Sequence, residues 1–331
     1  MKAQLSKWGL SWILFLPLLG EAQDPHFSQF FAAPFTVNPA YTGVFNGKMR
    51  VMANYRQQWA NAISPFTTAT AAFDAKLGSN DQVRQNPFNM GIQFMNDRSM
   101  KGTLSGNSVS VTAAYHITLD EAGRTSLGAG LMGTYMNRRI DLAALTFDEQ
   151  FSSGGFLQSL PTGEAALQQL KPYVTVGAGL LFLYNAPESG TFFELGASGF
   201  HFSKPQQTVL KDENQYVPIR YSLQASLQKY LGDRGILNLR FLYQTQAAVE
   251  YLTGGGTIGL GFGGEMTNVV GAGLFYRSQD AVTPYLYVEY DQLMLGLSYD
   301  ATVSGLKQAA RPIRSMEFSL QWRFGNKRAE N

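Results

Sequence analysis

The sequence predicts an all-β fold: a transmembrane antiparallel β-barrel of about 14 strands with both termini periplasmic. Three observations carry this. Segments of about ten residues alternate apolar and polar side chains, the period of a strand whose two faces meet different surroundings. Charged residues make up 15% of the chain, while Gly (34), Phe (23) and Tyr (16) are abundant; an ordinary soluble domain carries roughly 25% charge. After residue 22 there is no run of about 18 apolar residues, the length a membrane-crossing helix needs.

The chain opens with Lys2 and Lys7, an apolar run from Trp8 to Leu19, and Gly20-Glu21-Ala22. This is the charge, apolar core and small-residue cleavage site of a secretory signal peptide, residues 1–22. Removing it takes away Lys2, Lys7 and Glu21, leaving 24 basic and 23 acidic residues. So even a balance offers nucleic acid no electrostatic footing. There is no Cys, hence no disulfide framework and no thiol chemistry.

Residues 23–46 read as a periplasmic N-terminal segment. Asp24-Pro25-His26-Phe27-Ser28-Gln29-Phe30-Phe31 and Pro34-Phe35-Thr36-Val37-Asn38-Pro39-Ala40 combine three prolines with many aromatics and no clean period. A solvated tail lacks such aromatics, so the segment is expected to pack on the periplasmic mouth or on a partner, plugging the barrel or contacting periplasmic machinery.

Residues 47–324 read as the barrel. In the first strand Met49, Val51, Ala53 and Tyr55 oppose Arg50, Asn54 and Arg56. The second runs from Phe66 to Leu77 and the third from Phe88 to Asn96. In the fourth, Val109, Val111, Ala113, Tyr115 and Ile117 oppose Ser108, Ser110, Thr112, His116 and Thr118. Asp120–Arg124 turns the chain into a fifth strand, Thr125 to about Arg138. The longest interruption, 140–171, holds a short helix near Thr162–Leu170. Strands resume at Tyr173–Tyr184, Thr191–Ser203, from Ile219, and Ile236–Gln246. The last five lie near 256–263, 268–277, 281–290, 293–303 and 315–324. In the last, Phe318, Leu320, Trp322 and Phe324 oppose Glu317, Ser319, Gln321 and Arg323; it pairs with the first and leaves no edge. A polar tail, 325–331, follows.

Connections after strands 4, 8, 10 and 12 are short, and those after 5, 7 and 13 are long. Bacterial barrels have even strand numbers, short periplasmic turns and long external loops. The parity therefore puts the strand ends near both termini in the periplasm. Arg50, Arg56, Arg220, Arg240, Gln224 and Gln228 fall on the inward side, where they suit a polar interior or a hydrogen-bonded plug.

Catalytic chemistry is thin. His26, His116 and His201 are the only histidines. A serine near His116 is unremarkable in so Ser-rich a chain, and hydrolysis needs nucleophile, imidazole and orienting group together. No His or Cys spacing suits a metal, and no helix follows Gly254-Gly255-Gly256 to make a phosphate loop. Asp148-Glu149 reads as a solvated loop. The expectation is no enzyme, no cofactor and no metal.

Several stretches resemble the PorP/SprF family of Bacteroidetes. They are Asp24–Phe30, Asn38-Pro39-Ala40-Tyr41-Thr42-Gly43, Asn54-Tyr55-Arg56-Gln57-Gln58-Trp59 with Pro65-Phe66, Phe275-Tyr276-Arg277 through Asp280-Ala281, Leu295–Asp300, and Met316–Leu320. The resemblance implies an outer-membrane barrel of the type IX secretion and gliding system, non-enzymatic, that assists secretion or surface anchoring of a large secreted protein. Its implied partners are adhesin-like cargo, the secretion machinery and outer-membrane lipid. The candidate partner-binding residues are Asp24, Pro25, His26, Phe27, Phe30, Asn38 and Pro39 in the N-terminal segment. Phe147, Phe151 and Phe156 join them from the long loop, because aromatic side chains dominate interface energetics. The alternative is an outer-membrane channel or transporter for a small or apolar solute.

Overall fold

The computed structural model describes residues 24–60, 64–77, 88–141, 144–145, 147–157, 159–162, 169–208, 215–263, 268–303 and 314–325. The expected signal peptide, most of the expected helix near 162–170 and the tail beyond Gly325 lie outside the described residues.

Fourteen antiparallel strands close a barrel. They are β1 (Met49–Gln58), β2 (Phe66–Leu77), β3 (Phe88–Ser99), β4 (Leu104–Thr118) and β5 (Thr125–Ile140), then, after a small hairpin β6–β7 (Phe151–Ser152 and Gly155–Phe156), β8 (Tyr173–Ala186), β9 (Thr191–Phe200), β10 (Arg220–Leu231), β11 (Gly235–Gln246), β12 (Val249–Gly261), β13 (Val269–Arg277), β14 (Ala281–Tyr290), β15 (Leu293–Thr302) and β16 (Arg314–Phe324). Closure runs through β1 and β16, from Met49 opposite Phe324 to Gln57 opposite Met316. Every backbone ladder is thereby completed within the chain, as a span through hydrocarbon requires. The start of β1 and the end of β16 share one end of the barrel, here the near end; the opposite one is the far end.

The burial pattern is that of a soluble protein turned inside out. On β4, Ser108, Ser110 and Thr112 are buried while Val111 and Tyr115 are exposed. On β16, Ser315 and Glu317 are buried while Met316 and Phe318 are exposed. Polar residues line the lumen and apolar ones face outward. Aromatics pair near both ends: Trp322 with Phe324 at the near end and, edge to face, Trp59 with Phe66 at the far end.

Strand number agrees with the alternation, and boundaries differ where the signal was local. β12 begins at Val249 rather than near 256, because a two-residue turn, Ala247-Ala248, reverses the chain with Ala247 at φ +55°. Alanine carries no turn signal. β3 and β4 extend farther than their apolar faces, with Asn96 opposite Asn107 and Ser99 opposite Leu104. Backbone pairing continues there after alternation stops. β9 ends at Phe200, three residues short of the expected end, since His201 takes φ +64°. The Asp120–Arg124 turn is as expected: the Asp120 carboxylate accepts from the Thr125 amide at 2.6 Å, and Gly123 supplies φ +71°.

Of the places expected for the N-terminal segment, it takes the lumen rather than the periplasmic mouth: it is a plug threaded through the barrel. Asp24 lies at the far end, beside Arg220 at the start of β10 and Gln246 at the end of β11. Gly43 lies toward the near end, beside Asp74 late in β2. The first described residue and the last strand's end therefore sit at opposite mouths. The physical reason is size. Eight-stranded barrels are filled by their own side chains, whereas fourteen strands enclose a wider lumen. Aromatic and proline-rich backbone fills it here.

Candidate functional site

The plug is built from three single turns of 3-10 helix: Phe30–Ala32, Pro34–Thr36 and Pro39–Tyr41. Pro34 and Pro39 each open a turn, where a missing N–H costs nothing. Asn38 caps the third turn by accepting from Ala40 N at 2.8 Å, while its Nδ2 donates to Leu180 O at 2.9 Å. One side chain thus shapes the plug and ties it to the wall.

Three groups of charged bonds pin the plug. At the far end the Asp24 carboxylate meets His201 Nε2 at 2.7 Å and Arg220 at 3.3 Å, with Arg138 at 4.0 Å. Burial alone would raise the Asp24 pKa; Arg220, His201 and Arg138 reverse that and hold the carboxyl well below the usual carboxylate range.

The second group is the densest. The Glu317 carboxylate accepts from the backbone amides of Ser28 (2.8 Å) and Gln29 (3.0 Å). Asp300 Oδ2 is 3.0 Å from both Arg56 and Arg277 and accepts from Ser28 Oγ at 2.8 Å. Arg56 also donates to His26 O at 2.6 Å. All four charged side chains are at most 5% exposed, so each charge depends on its partners for compensation.

The third group holds the near end. Asp74 is completely buried, accepts two bonds from Arg50 (3.0 and 2.9 Å) and takes the Gly43 amide at 2.8 Å. This is a bidentate fork with a plug N–H added. Between the groups, Phe31 packs against Phe275 and Tyr285 with ring centroids 5.4 and 5.3 Å away.

Glycines let the plug touch the wall. A Cβ on Gly130 would lie 2.4 Å from Ala40 N and 2.5 Å from Pro39 C; one on Gly179 would lie 2.0 Å from Asn38 Oδ1. Gly130→Val therefore forces plug backbone off the wall, at a cost of about 1–3 kcal/mol for overpacking. The expected result is proteolytic cutting between residues 24 and 44 in an otherwise intact barrel, read by mass spectrometry; an uncut plug would refute the contact's importance.

The stretches that carry the family resemblance lie far apart in sequence and meet in this lumen. Ser28 and Gln29, Arg56, Arg277, Asp300 and Glu317 form one cluster. The inward Arg50, Arg56 and Arg220 do hold a hydrogen-bonded plug. Their acidic partners Asp24, Asp74 and Asp300 were not identified as such from sequence, because nothing local pairs an arginine with a carboxylate on another strand.

The candidate partner-binding residues divide. Phe27, Phe30, Asn38 and Pro39 are buried in the plug, Asp24 is ion-paired, and His26 lies against Tyr251 at 5.0 Å. Pro25, half-buried, lies between Asp24 and His26 in the plug. Phe147, Phe151 and Phe156 are in the far-end loop. Phe151 and Phe156 face each other across β6–β7, centroids 5.4 Å apart, and are 60% and 39% exposed. His116 is taken up by structure: its Nε2 is 2.9 Å from Ala40 O and its Nδ1 is 3.0 Å from Asn89 Nδ2. Among the described residues no cluster of His, Asp or Glu suits a metal ion.

The model of the family described as type IX secretion system membrane protein PorP/SprF matches residues 19–322. A comparison with curated proteins finds no match. Among solved structures the chain is similar to the Ralstonia pickettii toluene transporter TbuX, with 11% identity over 88% of this chain and 94% of that one and a TM-score of 0.48. It is similar too to the P. putida toluene transporter TodX, with 10% identity over 88% and 93% and a TM-score of 0.47. At such identities the likeness concerns barrel architecture alone. Matched by its family over nearly all of its length and built as a barrel with an apolar exterior, the chain belongs to the PorP/SprF family of type IX secretion system membrane proteins, in the bacterial outer membrane.

Proposed function

We propose that this protein is a plugged, non-enzymatic barrel, its near end toward the periplasm, that assists secretion or surface anchoring of a large secreted protein alongside the type IX machinery. The seated plug is the observation that carries this reading. A solute path needs an open lumen, and residues 24–44 cross it from the far mouth, with two groups of charged bonds toward the far end and one toward the near end. Both nitrogens of the His116 ring are engaged, which leaves no free imidazole there for hydrolysis. In this orientation the exposed Phe151 and Phe156 face the cell exterior, where aromatic rings supply binding area.

The chain's lack of Cys makes the orientation testable. Ser153→Cys, in the exposed turn of the hairpin, is expected to react with a membrane-impermeant maleimide on intact cells. Labelling only after lysis would reverse the orientation. Phe151→Ser with Phe156→Ser is expected to lower the partner's surface display about tenfold or more, as loss of a two-residue hot spot does, with the barrel's own abundance unchanged. Unaltered display would remove the hairpin from the reading.

A further inference from the structure

Among the described residues, each arginine facing the lumen has a carboxylate beside it, with one exception. Arg50 has Asp74, Arg56 has Asp300, Arg220 and Arg138 have Asp24, Arg277 has Asp280 and Asp300, and Arg323 has Glu289. Arg240, on β11, has none. Its guanidinium lies over the Phe31 ring, 4.2 Å from the centroid, and no described side chain or carbonyl bonds to it.

What Arg240 faces is a cavity of about 140 Å³ between the plug and the β9–β11 wall, lined also by Phe30, Phe31, Tyr41, Glu194 and Gln224. Glu194 is the one carboxylate of the lining. It already accepts from Tyr41 (3.1 Å) and Ser226 (2.7 Å), and it stays outside ion-pair distance of Arg240. Gln224 is 3% exposed, and neither of its amide atoms makes a hydrogen bond of normal geometry.

Arg240 is half-buried and has no described carboxylate beside it, so its guanidinium gains a charge-assisted pair when an anion arrives. Its planar fork matches a carboxylate through two parallel bonds. A phosphate would bring a second negative charge toward Glu194, so the single charge of a carboxylate is favoured. A cavity of about 150 Å³ takes a benzene-sized molecule, and this space is of that order. That suits a carboxylate on a short apolar stem and excludes a folded domain.

We propose that this cavity is a carboxylate-binding site, in which Arg240 grips the anion as a bidentate fork while Phe30 and Phe31 hold its apolar stem. Gln224, after a rotamer change, supplies a donor and an acceptor, the complement of a peptide group. The carboxylate belongs either to a polypeptide C-terminus or to a small aromatic acid. The site does not rest on the anchoring reading, since a barrel with any partner or solute would hold it equally.

The test is calorimetry on the purified full mature protein in detergent, with N-acetyl-phenylalanine, its amide, and the tripeptide acetyl-Ala-Ala-Phe as probes. The free acid is expected to bind saturably and the amide about tenfold more weakly or worse, since the amide forfeits the charge-assisted pair. Arg240→Gln should bring the acid down to the amide's level, and Arg240→Lys, with charge but no fork, should fall between. Tripeptide binding equal to that of the small acid assigns the site to a chain end; binding of the small acid alone assigns it to free acids. Both support a carboxylate site. Equal affinity for acid and amide overturns it, as does no binding by any probe, or unchanged affinity in an Arg240→Gln barrel of normal gel migration. Should Arg240→Gln not fold, the acid–amide comparison on the unaltered protein decides.

Discussion

A barrel lacking residues 24–44 is expected to conduct ions in a planar bilayer, whereas the full mature chain stays silent. The wall does not depend on the plug for closure. Its fourteen strands complete their ladders with each other, β1 on β16 included. The plug's bonds go mainly to side chains of the lumen: Asp74, Asp300, Glu317, Arg220 and His116. In the truncated protein water replaces the plug around these charges, so their desolvation cost falls rather than rises. Fourteen strands leave more space than side chains alone fill, and the expected change is from no resolved steps to stable openings. A large steady conductance from the full chain would favour the solute channel over the anchor. Silence from the truncated chain, with normal heat-modifiable migration, would show that the lumen closes by other means.

Asp300→Ala has the largest expected effect of any single substitution. Asp300 lies 3.0 Å from both Arg56 and Arg277 and also takes bonds from Ser28 and Thr283. Without it two buried guanidiniums face one another, and Glu317, 4.0 Å from Arg56, is already engaged with the plug amides. Removing one partner of a buried ion pair costs about 3–5 kcal/mol. Plug release relieves that cost by admitting water, so the expected result is protease cutting within 24–44 and intermittent conductance. Arg124→Ala is the control. Its pair with Glu188 has side chains 43% and 65% exposed, and exposed pairs contribute roughly 0–1 kcal/mol. An Asp300→Ala protein as silent and as protease-resistant as its parent would mean that the cluster does not seat the plug.

The barrel was legible because its signal is local. On β4 the side chain at each position reports which solvent it meets, and neighbours two residues apart agree. Where locality failed, so did the boundaries: Ala247-Ala248 turns the chain with no turn residue, and β3 and β4 remain paired beyond their apolar faces. The N-terminal segment was legible as something that packs, from its aromatics and prolines. What it packs on was not, since its partners stand up to 290 residues away, as Ser319 does from Gln29.

By itself the sequence determined the inside-out strand pattern, the strand number, the family and the inward place of Arg50, Arg56, Arg220 and Arg240. Alternation and composition are properties of each strand taken alone. Only the tertiary structure decided that the lumen is filled, and by which segment. Closing fourteen strands creates a space no single strand specifies, and it brings Arg56 within 3.0 Å of an Asp300 lying 244 residues away. The same closure leaves Arg240 without a carboxylate among the described residues, because charge pairing across a barrel is set by register and by the plug's path rather than by any neighbour in the chain.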